Sequence, residues 1–562
     1  MSERHSNRRI RLLLVFFVLV FAGTLARAVW LQGVQGGTLS QLAARQNRET
    51  REIAAGRGTI FDRAGVQLAI GEQATTVYAD ARSVEDPAAV ARAASRTLGA
   101  DGDALYAQLA EKKSAFVYVQ RKADAADAAR LEKLDLKGLG FYSEEKRTYP
   151  QGGVAAQVLG YAGVDNHGLE GLESSLDRSL AGKPGSQTIV KDPIGRAIEV
   201  ISSKPEREGS DVFLTIDHQI QANAESVLAA TVRQWHAKAA TAIVLDPRTG
   251  AVLAMANAPA YDANRFSAAP VDSHRNRAVT DTYETGSTFK VVTVAAALSE
   301  GLVNPSTSFY LNDWIRVADR IVNEHEPRAA QSLTVSQILS QSSNIGTITL
   351  AEKLGKRNVA SWIDRFGFGE PTGIDFPGES RGIVLPVESW SGSTIGNVPL
   401  GQGIAVTPTQ MARAYGAIAN GGVANEPYLV ERIGGKRAHK PKRTRILSGR
   451  VAAQLMAMLR GVVSEGTGTL AAVPGYTVAG KTGTSAKPDE TGGYSTTRYV
   501  ASFIGVVPAT NPRLVVLVAV DEPQGVIYGG TVAAPAFQQI ARFGLQYLEV
   551  VPDRSFTATA SG

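Results

Sequence analysis

The sequence predicts an α/β protein built on one antiparallel five-stranded sheet with helices packed on it, preceded by an extended module and a membrane helix. Two observations carry the sheet: strand-like apolar runs at Thr241–Leu245 and Ala251–Met255 before a helical middle, and three more after it, at Tyr476–Ala479, Ala501–Val506 and Leu514–Val520. Strands from both ends of one domain, separated by helices, assemble most simply into a single sheet covered by those helices. A third observation, an N-terminal apolar run after a cluster of arginines, puts a membrane segment in front.

Composition fixes the broad class first. At 562 residues the chain exceeds what one hydrophobic core organises, so two or three domains are expected. Hydrophobic residues at 44% and charged residues at 20% exclude wholesale disorder and a polytopic membrane protein. The net charge of +6 arises from 59 basic and 53 acidic residues, with no Lys/Arg block long enough to track a nucleic acid. Zero cysteines removes disulfides, thiolate catalysis and Cys-ligated zinc together.

Arg4, Arg8, Arg9 and Arg11 precede an apolar stretch from Leu12 to Ala26 that resumes after Arg27 with Ala28, Val29, Trp30 and Leu31. This predicts residues 1–11 as a cytoplasmic tail and 12–33 as a single transmembrane anchor, its interfacial Trp and snorkelling Arg at the outer end. The positive-inside rule then exports everything beyond it, across a cell (inner) membrane. A signal peptide cleaved at Ala26-Arg27-Ala28 is the alternative, and it exports the same bulk.

Residues 34–211 mix short β-like runs, Ala-rich helical pieces and turns, and read as a separate module. It contains Arg57-Gly58-Thr59-Ile60-Phe61-Asp62-Arg63-Ala64-Gly65, and Gly168-Leu169-Glu170-Gly171-Leu172-Glu173 leading to Asp177 and a Gly182–Gly185 turn. Residues 212–551 form the second module: a strand at Phe213–Ile216, a helix at Gln219–Trp235, the hairpin around Asp246–Gly250, and helices at Lys290–Leu298, Thr334–Leu339 and Thr409–Asn420. Residues 552–562, rich in Ser, Thr and Ala, read as a flexible tail.

Three short motifs in the second module carry chemistry. In Ser287-Thr288-Phe289-Lys290, which opens a helical run, serine and lysine three apart share one helix face, so a lysine neutralised by burial can take the serine's proton. Ser342-Ser343-Asn344 falls in a break between helical patterns, where a hydroxyl and an amide can relay protons and hold a substrate amide. Its bland reading is a cap for the helix through Ile345–Leu350. Lys481-Thr482-Gly483-Thr484 follows the Tyr476–Ala479 run, and an edge strand with Gly483 lets a substrate backbone pair alongside while hydroxyls and a cation receive a carboxylate. Each motif alone is weak. The three in this order form the set of penicillin-interacting enzymes.

With these residues the sequence resembles a class B penicillin-binding protein of FtsI type, over nearly its whole length. Arg57–Gly65 and Gly168–Glu173 are similar to the family's pedestal motifs, and Asn276–Asp281 to its lead-in to the nucleophile. Thr372-Gly373-Ile374-Asp375-Phe376-Pro377-Gly378-Glu379, Gly401-Gln402-Gly403 and Gly529–Pro535 are similar to further landmarks. Thr285 departs from the pattern, standing where the family has proline, and this loosens the approach to Ser287. The resemblance implies the serine transpeptidase fold with an all-helical subdomain on a pedestal. It implies a D,D-transpeptidase in which Ser287, Lys290, Ser342 and Asn344 are catalytic, Lys481, Thr482, Gly483 and Thr484 bind substrate, and no metal or other cofactor takes part. The backbone N–H groups of Ser287 and Thr484 would hold the oxyanion. Partners implied are D-Ala-D-Ala stem peptides, β-lactams as covalent inhibitors, a glycan polymerase of FtsW/RodA type, and the membrane.

Other classes fare worse on the sequence. None of the seven histidines falls in the motifs, and no H-E-x-x-H cluster occurs. A β-lactamase of the same fold needs a Glu in an E-x-x-L-N loop, which is missing. β-Lactam sensors share the fold, but the long pedestal module resembles that of wall synthases more, and the intact trio of motifs argues against a non-catalytic scaffold. The resemblance favours septal synthesis in division, with side-wall elongation as the alternative role.

Overall fold

The computed structural model describes residues 2–35, 37, 48–191, 197–438, 440, 442–489 and 492–554. It divides into two units, one of residues 1–56 and 182–208, the other of residues 57–181 and 209–562.

In the first unit, helix Ser2–Val29 continues as one wider turn at Trp30–Val34. The stretch Asn7–Val34 is long and apolar enough to cross a membrane. Strands Arg48–Ile53, Gly185–Lys191 and Ala197–Lys204 form a three-stranded antiparallel sheet in that order.

The second unit holds the five-stranded sheet. Its strands are β1 (Ala239–Leu245), β2 (Val252–Ala258), β3 (Ala479–Pro488), β4 (Tyr494–Val507) and β5 (Leu514–Asp521), in the order β2-β1-β5-β4-β3 and antiparallel throughout. The apolar runs do not alternate with polar residues because both faces are covered. One face packs Ala242, Val244, Phe503, Val516 and Val518 against Ile220 and Leu228 of α1 (His218–Gln234) and Phe537 and Ile540 of the C-terminal helix Ala534–Tyr547. The other packs Ile243, Ile504 and Leu517 into the larger core with α2 (Lys290–Ser299), the helix Pro408–Ala419 and the helix Gly449–Ser464. Asp217 caps α1, and Thr334 with Gln337 forms a capping box on α3 (Val335–Ser340).

The structure differs from the sequence reading in three places. The strand expected to end at Ala479 begins there and runs to Pro488, so Lys481–Thr484 lies inside it rather than after it. Small polar residues gave no β signal, yet the strand is held by continuous pairing to β4, Lys481 opposite Ile504 and Gly483 opposite Ser502. The strand expected at Phe213–Ile216 spans Val212–Leu214. It pairs with Ile60–Phe61 and Val430–Ile433 in a sheet that continues through Gln67–Ala79. The subdomain expected to be all-helical also carries two short antiparallel pairs, Ser308–Leu311 with Gln331–Thr334 and Trp314–Val317 with Arg320–Asn323.

The two glycine-bearing motifs of the N-terminal module meet. Arg57 Nε donates to Glu173 Oε2 at 2.7 Å and its NH1 to Asp177 at 2.6 Å, while Arg147 Nε donates to the other Glu173 oxygen at 2.6 Å. At the opposite end of the chain Asp553 accepts from Thr477 N at 2.7 Å. Of the flexible tail expected at 552–562, Asp553 and Arg554 are bonded to Thr477 and Gly475, and the residues from 555 onward lie outside the described residues.

Candidate active site

Ser287 sits in a single 3₁₀ turn, Gly286–Phe289, that runs into α2 at Lys290. The turn lies directly against β3. Gly286 has φ +53°, and a Cβ there would stand 2.6 Å from Thr484 O. A Cβ on Gly483 would meet Ser502 Oγ at 2.5 Å and Thr285 O at 2.7 Å. Gly483 therefore serves the packing of the nucleophile turn on β3. Gly286 N donates to Gly401 O at 3.1 Å, so the Gly401–Gly403 motif backs the same turn. Ser287 is half-buried.

Lys290, three residues on, is fully buried. Its Nζ donates to Ser342 O at 2.5 Å, Asn344 Oδ1 at 2.7 Å and Ser342 Oγ at 3.3 Å. Burial lowers its pKa to about 7, the charge of Glu324 pulling the other way. The S-x-N motif is the turn between α3 and α4 (Asn344–Leu354), and Ser343 also caps α4 by accepting from Gly346 N at 2.9 Å. Cap and site coincide. Ser342 carries φ +61°, a left-handed backbone that costs an L-residue about 1–2 kcal/mol and turns its carbonyl to the lysine.

Lys481 is also fully buried, and its Nζ lies 3.4 Å from both Thr482 O and Thr482 Oγ1. Burial, with Lys290 as a neighbouring cation, holds it well below the usual lysine range. Thr482 Oγ1 lies 2.7 Å from Thr467 Oγ1, and Thr484 Oγ1 accepts from Gly529 N at 3.1 Å, which ties the Gly529–Pro535 segment to β3. A cavity of 460 Å³ opens beside the turn's lead-in, lined by Thr241, Tyr283, Glu284, Ile404 and Ala486.

The structure thus gathers the three motifs at one place. Sequence reasoning missed Glu324, whose carboxylate holds Ser343 and Asn344, and Thr467. Each contributes one residue from a distant segment with no local pattern to betray it.

Two families match the chain: the penicillin binding protein transpeptidase domain over residues 240–542, and the penicillin-binding protein dimerisation domain over residues 52–214. Stage V sporulation protein D of Bacillus subtilis is 35% identical over 98% of this chain and 87% of its own. Peptidoglycan D,D-transpeptidase FtsI of Escherichia coli is 32% identical over 98% of this chain and 94% of its own. A crystal structure of penicillin binding protein 3 from Mycobacterium tuberculosis, complexed with aztreonam, superposes with a TM-score of 0.71 at 30% identity, covering 90% of this chain and 98% of that one. With the transpeptidase family matching more than half its length over a site of this geometry, the chain belongs to the class B penicillin-binding proteins, peptidoglycan D,D-transpeptidases that bind β-lactams.

Proposed function

We propose that this transpeptidase cross-links septal peptidoglycan during division through an acyl-enzyme on Ser287. The observation that carries the chemistry is Lys290: buried, poised at about 7, and hydrogen-bonded to Ser342 and Asn344 one helix turn from a half-buried serine. Ser287 Oγ attacks the carbonyl between the two terminal D-alanines and its proton passes to Lys290 Nζ. The N–H groups of Ser287 and Thr484 hold the oxyanion, and the C–N bond breaks as the proton moves on, by way of Ser342, to the departing D-alanine amine. The amine of a second stem peptide then attacks the ester and regenerates the serine. Asn344 orients the donor peptide. Lys481, Thr482 and Thr484 along β3 receive its terminal carboxylate, Gly483 keeping that strand close to the nucleophile.

In the same reading residues 12–33 anchor the chain in the cell membrane with residues 1–11 in the cytoplasm, 34–211 form the pedestal, and 212–551 form the catalytic domain, to which Asp553 is tied through Thr477. A polytopic glycan polymerase of FtsW/RodA type supplies the strands. The division role rests on likeness to FtsI along nearly the whole chain and on the Asn276–Asp281 and Gly529–Pro535 segments.

Two measurements test this. Intact-mass spectrometry after benzylpenicillin treatment is expected to show one adduct, on the peptide holding Ser287, and none in Ser287→Ala; labelling of that variant at the wild-type level refutes the nucleophile. Depletion in the native organism is expected to give filaments or chains with unfinished septa. Rounded cells that still divide assign the protein to side-wall elongation.

A further inference from the structure

The short pair Trp314–Val317 and Arg320–Asn323 ends at Glu324, and delivers that carboxylate to the N-terminus of α4. Its side chain is only 6% exposed and takes donors from three directions: Ser343 Oγ at 2.5 Å, Asn344 N at 2.7 Å and Arg328 NH2 at 2.9 Å. The preceding residue adds a fourth tie, Asn323 O accepting from Asn344 Nδ2 at 3.1 Å. Asn344 is therefore fixed at its backbone N–H and its amide NH₂, which leaves Oδ1 aimed at Lys290 Nζ. We propose that Glu324 is a positioning residue for Lys290, clamping the Ser342–Asn344 turn so that its oxygens face the amine and setting by its charge the pH at which that amine becomes free.

The inference rests on Lys290 being the proton acceptor. Two arguments support it. Ser342 is held in a left-handed backbone that an isolated turn would leave, so something must fix it from the next residues, and Glu324 bonds both of them. The second argument is electrostatic. The groups that face Lys290 are Ser342 and Asn344 from the turn, Lys481 from β3 and, behind the turn, Glu324. Glu324 is the anion of that set and opposes the desolvation that lowers Lys290. Arg328 offsets it from the far side, and the α4 N-terminus complements its negative charge.

The test is the pH profile of acylation of the full-length protein by a fluorescent penicillin between pH 5 and 9, with a thermal melt as the check on folding. The wild type should rise with pH through about 7 and then level off. Glu324→Gln keeps one acceptor but loses the charge, so Lys290 should release its proton more easily and the rising limb should move down by roughly one pH unit. Its plateau should fall roughly tenfold as the turn loosens. Arg328→Met removes the offsetting cation, and its rising limb should move up instead. Opposite shifts in the two variants support the proposal, and Arg328→Met alone suffices if Glu324→Gln does not fold. A rising limb unmoved in both, with only the melting temperature lowered, reduces Glu324 to a helix cap and overturns it. Loss of the base reading itself would show separately, as undiminished acylation by Lys290→Arg.

Discussion

The pedestal and the active site each bury two cations, and they treat them in opposite ways. Arg57 and Arg147 are sunk beside Glu173 and Asp177, with every ion-pair contact at 2.6–2.7 Å. Lys290 and Lys481 are sunk as deeply, but their contacts are the neutral oxygens of Ser342, Asn344 and Thr482, and the charge of Lys290 is among the surroundings of Lys481. Paired, a buried cation stays charged and pins the chain, here joining segments more than a hundred residues apart. With no carboxylate in contact, burial instead lowers the lysine's pKa, to about 7 at Lys290, which makes that amine available as a base. Arginine suits the first task because it does not deprotonate, and lysine the second because it does.

The largest expected effect breaks that distinction at the site. Lys290→Arg keeps the positive charge and can still donate to Ser342 and Asn344, but supplies no neutral nitrogen near pH 7. Acylation by penicillin should fall by about 10³-fold, within the range removal of a general base costs. A rate constant within tenfold of wild type, measured by stopped-flow or gel fluorescence, would remove Lys290 from the role of base and with it the contrast.

The matching change in the pedestal is Glu173→Gln. It breaks both buried pairs of Glu173, leaving Arg57 with Asp177 and Arg147 without its carboxylate, a loss of at least about 3–5 kcal/mol, the cost of breaking one buried pair. The melting temperature should drop while the molecules still folded acylate at the wild-type rate, because no atom of Glu173 touches the three motifs. If instead acylation per folded molecule collapses and the melt is unchanged, the pedestal network does more than pin the chain.

How much of this was legible in the sequence follows from the same physics. Strands β1 and β5 and the second half of β4, from Val500, announced themselves because burial on both faces makes them rich in Val, Ile, Leu and Ala. β3 did not, since Lys481–Thr484 is buried through pairing and close glycine contacts rather than through apolar side chains. The reactive trio was readable as three contiguous motifs, and their convergence on one another was implied by the family resemblance rather than by any one motif. What holds them was not readable. Glu324 acts from twenty residues before Asn344, Thr467 from fifteen before Thr482, and Glu173 from 116 after Arg57. Such pairs leave no period or spacing to find in a single sequence.

The smallest expected effect concerns a group that neither strategy satisfies. Thr285 is buried where the family carries proline, and its Oγ1 has no partner among the described residues, as is true of the neighbouring Tyr283 Oη and Glu284 Oε2. Its carbonyl is used, accepting from Thr288 Oγ1 at 2.9 Å, but its hydroxyl contributes only the cost of its burial. The backbone is ready for proline: φ is −81°, close to the ring's preferred value, and Glu284 before it is already in a short extended pair with Ala405. Thr285→Pro should therefore stabilise the fold by about 0.5–1 kcal/mol, mainly by restricting the unfolded chain, and raise the melting temperature by roughly 1–2 °C in a protein of this size. The acylation rate should change less than twofold, since Gly286 keeps its bond to Gly401 and the nucleophile turn its seat on β3. A destabilised variant would show that the Thr285 side chain or N–H is used. A stabilised variant with a faster acylation rate would show that threonine leaves the Ser287 turn looser than catalysis needs.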